Sequence, residues 1–257
     1  MRSSLVLAVL SLMLVARVQA ALPDEIQVYI DDINKPGDFG LELHANTTLN
    51  GLDQQDYPGE ITTHHGLRMT PEFSYGLSED FEAGLYVPTA YKDGSYRLAG
   101  YKLRMKWLPL KTVDGRGWFA GANLELSNIS RQFDAARYGA ELRTMIGYRT
   151  DDWLFAVNPV FGSTLSHSQE STQPHNPDFS LGYKASRRVA EGVSVGLEYY
   201  NEKGSWHEFD ARKDQAQMLF IAADVEAGPL PFNFGIGKGL NGSTDPWTVK
   251  MIFEIPI

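Results

Sequence analysis

Trp247-Thr248-Val249-Lys250-Met251-Ile252-Phe253-Glu254-Ile255-Pro256-Ile257 changes character at almost every step. Trp247, Val249, Met251, Phe253, Ile255 and Ile257 are apolar and fall on one face of an extended strand. Thr248, Lys250, Ile252, Glu254 and Pro256, mostly polar, fall on the other. Successive strand side chains point to opposite faces, so this segment is greasy on one side only. Roughly a dozen segments of about ten residues repeat the pattern, and their second face carries charges, glycines and amides. A soluble sandwich hides its apolar face inside. The expected fold is instead all-β: a transmembrane antiparallel up-and-down β-barrel of about 12 strands with lipid outside and a polar lumen.

The pattern can be followed from residue 38 onward. The first strand sets Phe39, Leu41, Leu43 and Ala45 against Glu42, His44 and Asn46. Near 66–77, Leu67, Met69, Phe73, Tyr75 and Leu77 oppose Arg68, Thr70, Glu72 and Ser74. After a turn at 78–80, Phe81, Ala83 and Leu85 oppose Glu82, and then Tyr101, Leu103, Met105 and Trp107 oppose Lys102, Arg104 and Lys106. Trp118, Ala120, Ala122 and Leu124 oppose Asn123 and Glu125; Tyr138, Ala140, Leu142, Ile146 and Tyr148 oppose Arg137, Glu141, Arg143 and Arg149. Further strands are predicted near 153–162, 178–186, 193–201, 216–224, 231–238 and 246–257.

The links sort by length. Shorter ones fall at 78–80, 108–116, 150–152, 187–192 and 225–230, and longer polar ones at 50–65, 88–97, 128–136, 163–177, 202–215 and 239–245. Near-alternation of short and long is expected where periplasmic turns face extracellular loops. Trp107, Trp118, Trp153, Tyr148, Phe81 and Tyr75 cluster at the expected periplasmic ends, and Tyr138, Tyr199 and Trp247 toward the outer ends. Amphipathic rings favour both membrane interfaces. Ile257 departs from the terminal aromatic residue usual in such barrels.

The first twenty residues read as a signal peptide: Arg2, an apolar core from Leu5 to Val15, and Val18-Gln19-Ala20 as the cleavage region after Ala20. About 237 residues then remain. Without Arg2 and Arg17 the chain holds 21 basic against 32 acidic side chains, about −11, which argues against nucleic acid as a partner. With no cysteine there is no disulfide framework and no lipoprotein anchor. No later apolar run is long enough for a transmembrane helix. The expected organisation is a signal peptide at 1–20, a periplasmic N-terminal arm at 21–37 and an outer-membrane barrel at 38–257.

The hairpin Phe73-Ser-Tyr-Gly-Leu-Ser-Glu-Asp-Phe-Glu-Ala-Gly-Leu-Tyr-Val-Pro88 resembles those of outer-membrane transporter-like barrels related to the meta-pathway phenol-degradation family. Most of the mature chain is similar in style, this hairpin alone in wording. The resemblance implies an outer-membrane protein for passage of small molecules, hydrophobic ones among them, and carries no catalytic residues over.

Inward charge is the functional signal. Lys102, Arg104 and Lys106 form one basic column and Arg137, Arg143 and Arg149 another, with Glu72, Glu82, Glu125 and Glu141 also turned inward. Charged rings set ion preference in a pore, and the same charges can neutralise one another across a closed interior. The expectation is a monomeric outer-membrane channel or facilitator for a small solute, needing no cofactor or metal, with membrane lipid and the barrel-assembly machinery as partners. A second reading is a rim enzyme acting on lipid or peptide, because His64, His65, His167, His175 and His207 sit in outer loops beside Glu60, Glu170 and Glu208; Ser166, Ser168 and Ser171 lie near His167. No spacing matches a zinc helix or a nucleophile elbow. A third reading is a closed structural envelope barrel.

Overall fold

The computed structural model describes residues 24–165 and 177–257. The signal peptide with its cleavage site after Ala20, and Ser166, His167, Ser168, Glu170, Ser171 and His175, lie outside the described residues. The described residues form β-structure and no helix long and apolar enough to cross a membrane.

Twelve strands close a barrel: β1 (Phe39–Asn50), β2 (Leu67–Gly76), β3 (Phe81–Tyr86), β6 (Gly100–Leu110), β7 (Gly117–Ile129), β8 (Tyr138–Arg149), β9 (Trp153–Thr164), β10 (Asp178–Ala190), β11 (Val193–Ser205), β13 (Gln217–Val225), β14 (Phe232–Gly239) and β15 (Trp247–Glu254). Each pairs antiparallel with its neighbours in sequence, and β15 returns to β1, with Leu43 opposite Phe253 and Ala45 opposite Met251. Closure leaves no free edge, which is the condition an apolar medium sets for strands that cross it. Two short strands, β4 (Thr89–Lys92) and β5 (Ser95–Leu98), continue the wall beyond β3 and β6 as a hairpin. This segment reads as a loop in the sequence. Asp93 and Gly94, both at positive φ, supply the two-residue turn that fits strand twist. A two-residue strand, β12 (Glu208–Phe209), folds back on β11.

The alternation partitions as its pattern requires. Leu103, Met105 and Trp107 are 41–52% exposed, whereas Arg104 and Lys106 between them are 5–6% exposed. On the closing strand Thr248, Lys250 and Ile252 are buried. Near the short-turn end, outward rings meet in pairs: Phe39 with Tyr75 at 4.6 Å, Phe81 with Trp107 at 6.2 Å and Trp118 with Tyr148 at 5.1 Å between centroids. Aromatic side chains suit a level where an apolar medium gives way to a wet one.

Residues 24–34 lie inside the barrel. The chain turns at Lys35-Pro36-Gly37-Asp38 beneath the short-turn end, where the Gly37 N–H donates to Gly76 O at 2.8 Å. Gly37 holds φ +89°, a region an L side chain rarely enters, and a Cβ on Gly76 would run into the Lys35 carbonyl. From this turn the arm rises through the lumen. Val28 packs with Phe119, Leu154 and Ala156; Tyr29 packs with Leu108 and Met145. Burying a Val or Ile side chain contributes about 1.5–3 kcal/mol, so this seat holds the arm by more than charge.

Candidate functional site

The lumen and its arm form one network of charges, organised by depth. Nearest the long-loop end, Lys102 Nζ lies 2.9 Å from Asp24 and 3.2 Å from Glu125. At mid-depth Arg143 donates to Gln27 O at 3.2 Å, pairs with Glu141 at 2.9 Å and lies 4.7 Å from the Tyr29 ring centroid. The Tyr29 hydroxyl meets that of Tyr86 at 2.6 Å. Across the lumen, Lys250 Nζ reaches Glu198 at 2.5 Å and donates to Ile26 O at 3.1 Å; Lys184 contacts Glu198 at 3.5 Å and Asp224 at 2.9 Å. Toward the short-turn end, Arg104 bridges Glu72 at 2.8 Å and Glu82 at 2.5 Å, while Glu82 also accepts from the Asn34 N–H at 2.8 Å. Lys106 donates to Asp32 O, and Arg149 pairs with Asp31 at 2.7 Å.

These contacts follow from strand register. Glu82 stands opposite Lys106 and Gly84 opposite Arg104 on β3 and β6. The missing side chain at Gly84 leaves the space through which the Arg104 guanidinium reaches sideways to two carboxylates; a Cβ there would meet Arg104 Nε at 2.7 Å. Glu125 stands opposite Glu141 on β7 and β8, and their repulsion is relieved by Lys102 on one side and Arg143 on the other. Isolated charges so far from water would be costly, and paired ones survive.

Of the lumen residues the sequence points to, Lys102, Arg104, Lys106, Glu72, Glu82, Glu125, Glu141 and Arg143 are brought together in this network. Arg137 is not among them. It precedes β8, is exposed, donates from Nε to Asn128 Oδ1 at 3.2 Å and covers the Tyr138 ring. At the wall's last rung its long side chain escapes to solvent and to the aromatic level, so strand parity does not decide its direction.

Sequence reasoning does not single out the residues that seat the arm: Asn158, Tyr86, Lys184, Lys250 and the inward apolar Phe119, Met145 and Leu154. The apolar three carry a signal, a break in the rule on a face that elsewhere carries charge, whereas Asn158, Lys184 and Lys250 follow the rule and look like any other inward polar residue. The arm divides the remaining space. A cavity of about 700 Å³ opens on one flank at the short-turn end, bounded by Glu42, Glu72, Arg104 and Glu254. A smaller one of about 120 Å³ lies on the other flank, against Lys184, Glu198 and Lys250.

At the opposite rim Asp245 pins the first long loop. Its Oδ1 accepts from the Leu52 N–H at 2.8 Å and the Thr63 hydroxyl at 2.5 Å. Burial pushes its carboxyl above the ordinary value, against the pull of those donors. His64 contacts the Gly51 backbone at 3.2–3.3 Å and stacks on His65 at 3.9 Å.

No protein-family model and no curated protein matches this sequence. Solved structures do match the fold. An outer membrane channel from Pseudomonas putida F1 gives a TM-score of 0.61 at 9% identity, over 90% of this chain and 99% of that one. The NanC porin gives 0.56 at 9% identity, over 84% and 100%. The KdgM porin gives 0.54 at 11% identity, over 85% and 99%. At such identities the likeness is one of fold.

Proposed function

We propose that this chain is a monomeric outer-membrane channel for passive passage of a small solute, with residues 24–34 acting as a plug that sets its resting conductance. The observation that supports this most directly is a closed barrel, apolar outside, whose lumen wall is charged and whose filling is a separate segment. The fold it shares with two porins and an outer membrane channel favours the same reading. Export by the signal peptide cleaved after Ala20 and insertion by the barrel-assembly machinery belong to the proposal. So does kinship with the phenol-degradation barrels, which rests on hairpin 73–88.

Lys102, Arg104, Lys106 and Arg143, countered by Glu72, Glu82, Glu125 and Glu141, would set the field along the path. The tight ion pairing of the arm favours a closed resting state, so conduction would require it to yield. The rim-enzyme reading has less behind it, because the His64 ring is engaged by Gly51 and His65.

Planar-bilayer recording tests the proposal. The full mature chain should give rare or small steps, and a chain beginning at Asp38 should give larger, longer ones. A folded arm-less barrel that passes no current would overturn it.

A further inference from the structure

Glu254, Glu42 and Glu72 stand in register on β15, β1 and β2, across the closure of the barrel: Glu42 is opposite Glu254 on one side and Glu72 on the other. Like charges directly opposite across strands repel. Arg104 relieves Glu72 through Oε1 and is shared with Glu82. His44 follows Glu42 by two residues on the same face and is fully buried. Its Nε2 lies 3.1 Å from Glu72 Oε2 and 3.6 Å from Glu42 Oε2. Two buried atoms of the group, Glu42 Oε2 and His44 Nδ1, make no hydrogen bond. The adjoining cavity of about 700 Å³ is lined by seven carboxylates (Asp31, Asp32, Glu42, Glu72, Glu82, Glu226 and Glu254) against Arg104 and Lys106.

We propose that Glu42, His44 and Glu72 form a binding site for a divalent first-row transition cation of the Zn²⁺ type, entered from the cavity at the short-turn end. One ligand atom from each residue lies within 4.8 Å of the others. Metal–nitrogen and metal–oxygen bonds of about 2.0–2.2 Å place neighbouring ligand atoms roughly 3.0–3.5 Å apart. The observed separations of 3.1 and 3.6 Å need only small side-chain shifts to meet that. An imidazole nitrogen with two carboxylates suits zinc, iron or nickel, whereas calcium and magnesium take oxygen alone. On binding, the His44–Glu72 contact gives way to bonds from both residues to the cation, with the imidazole coordinating through Nε2 in its neutral form and its one proton on Nδ1. Water from the cavity completes the coordination. The in-register carboxylates then have a physical reason: the charge they bring together is offset by a cation. The site does not depend on whether the barrel conducts.

The test is Zn²⁺ titration by calorimetry of the untagged, metal-free mature chain, refolded in detergent and checked by heat-modifiable gel mobility. One equivalent of Zn²⁺ should bind. Glu42→Gln and His44→Gln should each weaken binding by at least about tenfold, and the double variant His64→Ala/His65→Ala should bind as the parent does. Absence of binding by the parent, or binding that survives both lumen substitutions or is lost with the loop pair, would overturn the proposal. Co²⁺ added to the parent chain gives a reading that needs no variant. Its visible and X-ray absorption should report one imidazole among oxygen ligands, and a spectrum of oxygen ligands alone counts against the site.

Discussion

The side-chain amide of Asn158 takes both backbone hydrogen bonds of Tyr29: Oδ1 accepts the Tyr29 N–H at 2.6 Å and Nδ2 donates to the Tyr29 carbonyl at 3.0 Å. One wall residue thus does for the arm what a neighbouring strand would do, satisfying two polar groups buried far from bulk water. Replacing Asn158 by Leu keeps the bulk and leaves both groups unpaired, each at about 1–3 kcal/mol. The arm should loosen while the barrel stays closed. Hydrogen exchange at the Tyr29 amide should quicken many-fold with the wall amides unchanged; undisturbed protection at Tyr29 would show that the arm is held elsewhere.

Gly76 offers a steric route to the same end. With Gly76→Ala the new Cβ meets the Lys35 carbonyl, a backbone atom that cannot swing aside. Limited proteolysis should cut between residues 24 and 37 faster in this variant, and bilayer steps should become more frequent. Equal cleavage in variant and parent would place the turn's flexibility above this contact.

Glu198 is shared by Lys250, Lys184 and the Tyr200 hydroxyl, which donates to it at 2.6 Å. Glu198→Gln leaves the buried Lys250 ammonium without its carboxylate partner, while Lys184 keeps Asp224. Breaking a buried pair on one side costs about 3–5 kcal/mol. The urea midpoint followed by gel mobility should fall, and Glu198→Gln combined with Lys250→Met should recover part of the loss.

Arg104→Glu would put a third carboxylate beside Glu72 and Glu82. In a conducting barrel the reversal potential in a salt gradient should move toward cation preference, and urea stability should fall with it. Stability loss without any change in reversal potential would leave Arg104 as a strut and remove it from the filter.

At the outer rim, the raised Asp245 carboxyl means that the docked loop holds a proton more tightly than the free one. Docking is therefore strongest at acid pH and weakens as pH rises through the folded value. Exchange at the Leu52 amide, corrected for its intrinsic pH dependence, should quicken over that interval. In Asp245→Asn the pH dependence should vanish.

Strand number, closure and the facing of Lys102, Arg104 and Lys106 were legible because a period of two is a local property of the sequence. The hairpin of β4 and β5 was hidden by Pro88 and by polar Lys92, Asp93 and Ser95, which read as a loop though their backbone pairs. Arg137 shows where parity fails, at the last rung. The arm's place was illegible for a different reason. Residues 21–37 read equally as an arm folding under or into the barrel mouth and as a solvated leader, and the partners Asn158 and Lys250 stand 129 and 224 residues from those they hold.

Those separations also tie the start of the described chain to its end. Ile26 and Tyr29 precede every strand, yet their partners lie on β15 and β9, and no complete seat exists until β15 has met β1. Contacts so remote in sequence carry a larger loop-closure cost than nearer ones, such as that of Asn34 with Glu82. The arm's upper residues can therefore be held by both partners only once the last strand is in place, so the segment that precedes the wall is secured by the strand that completes it.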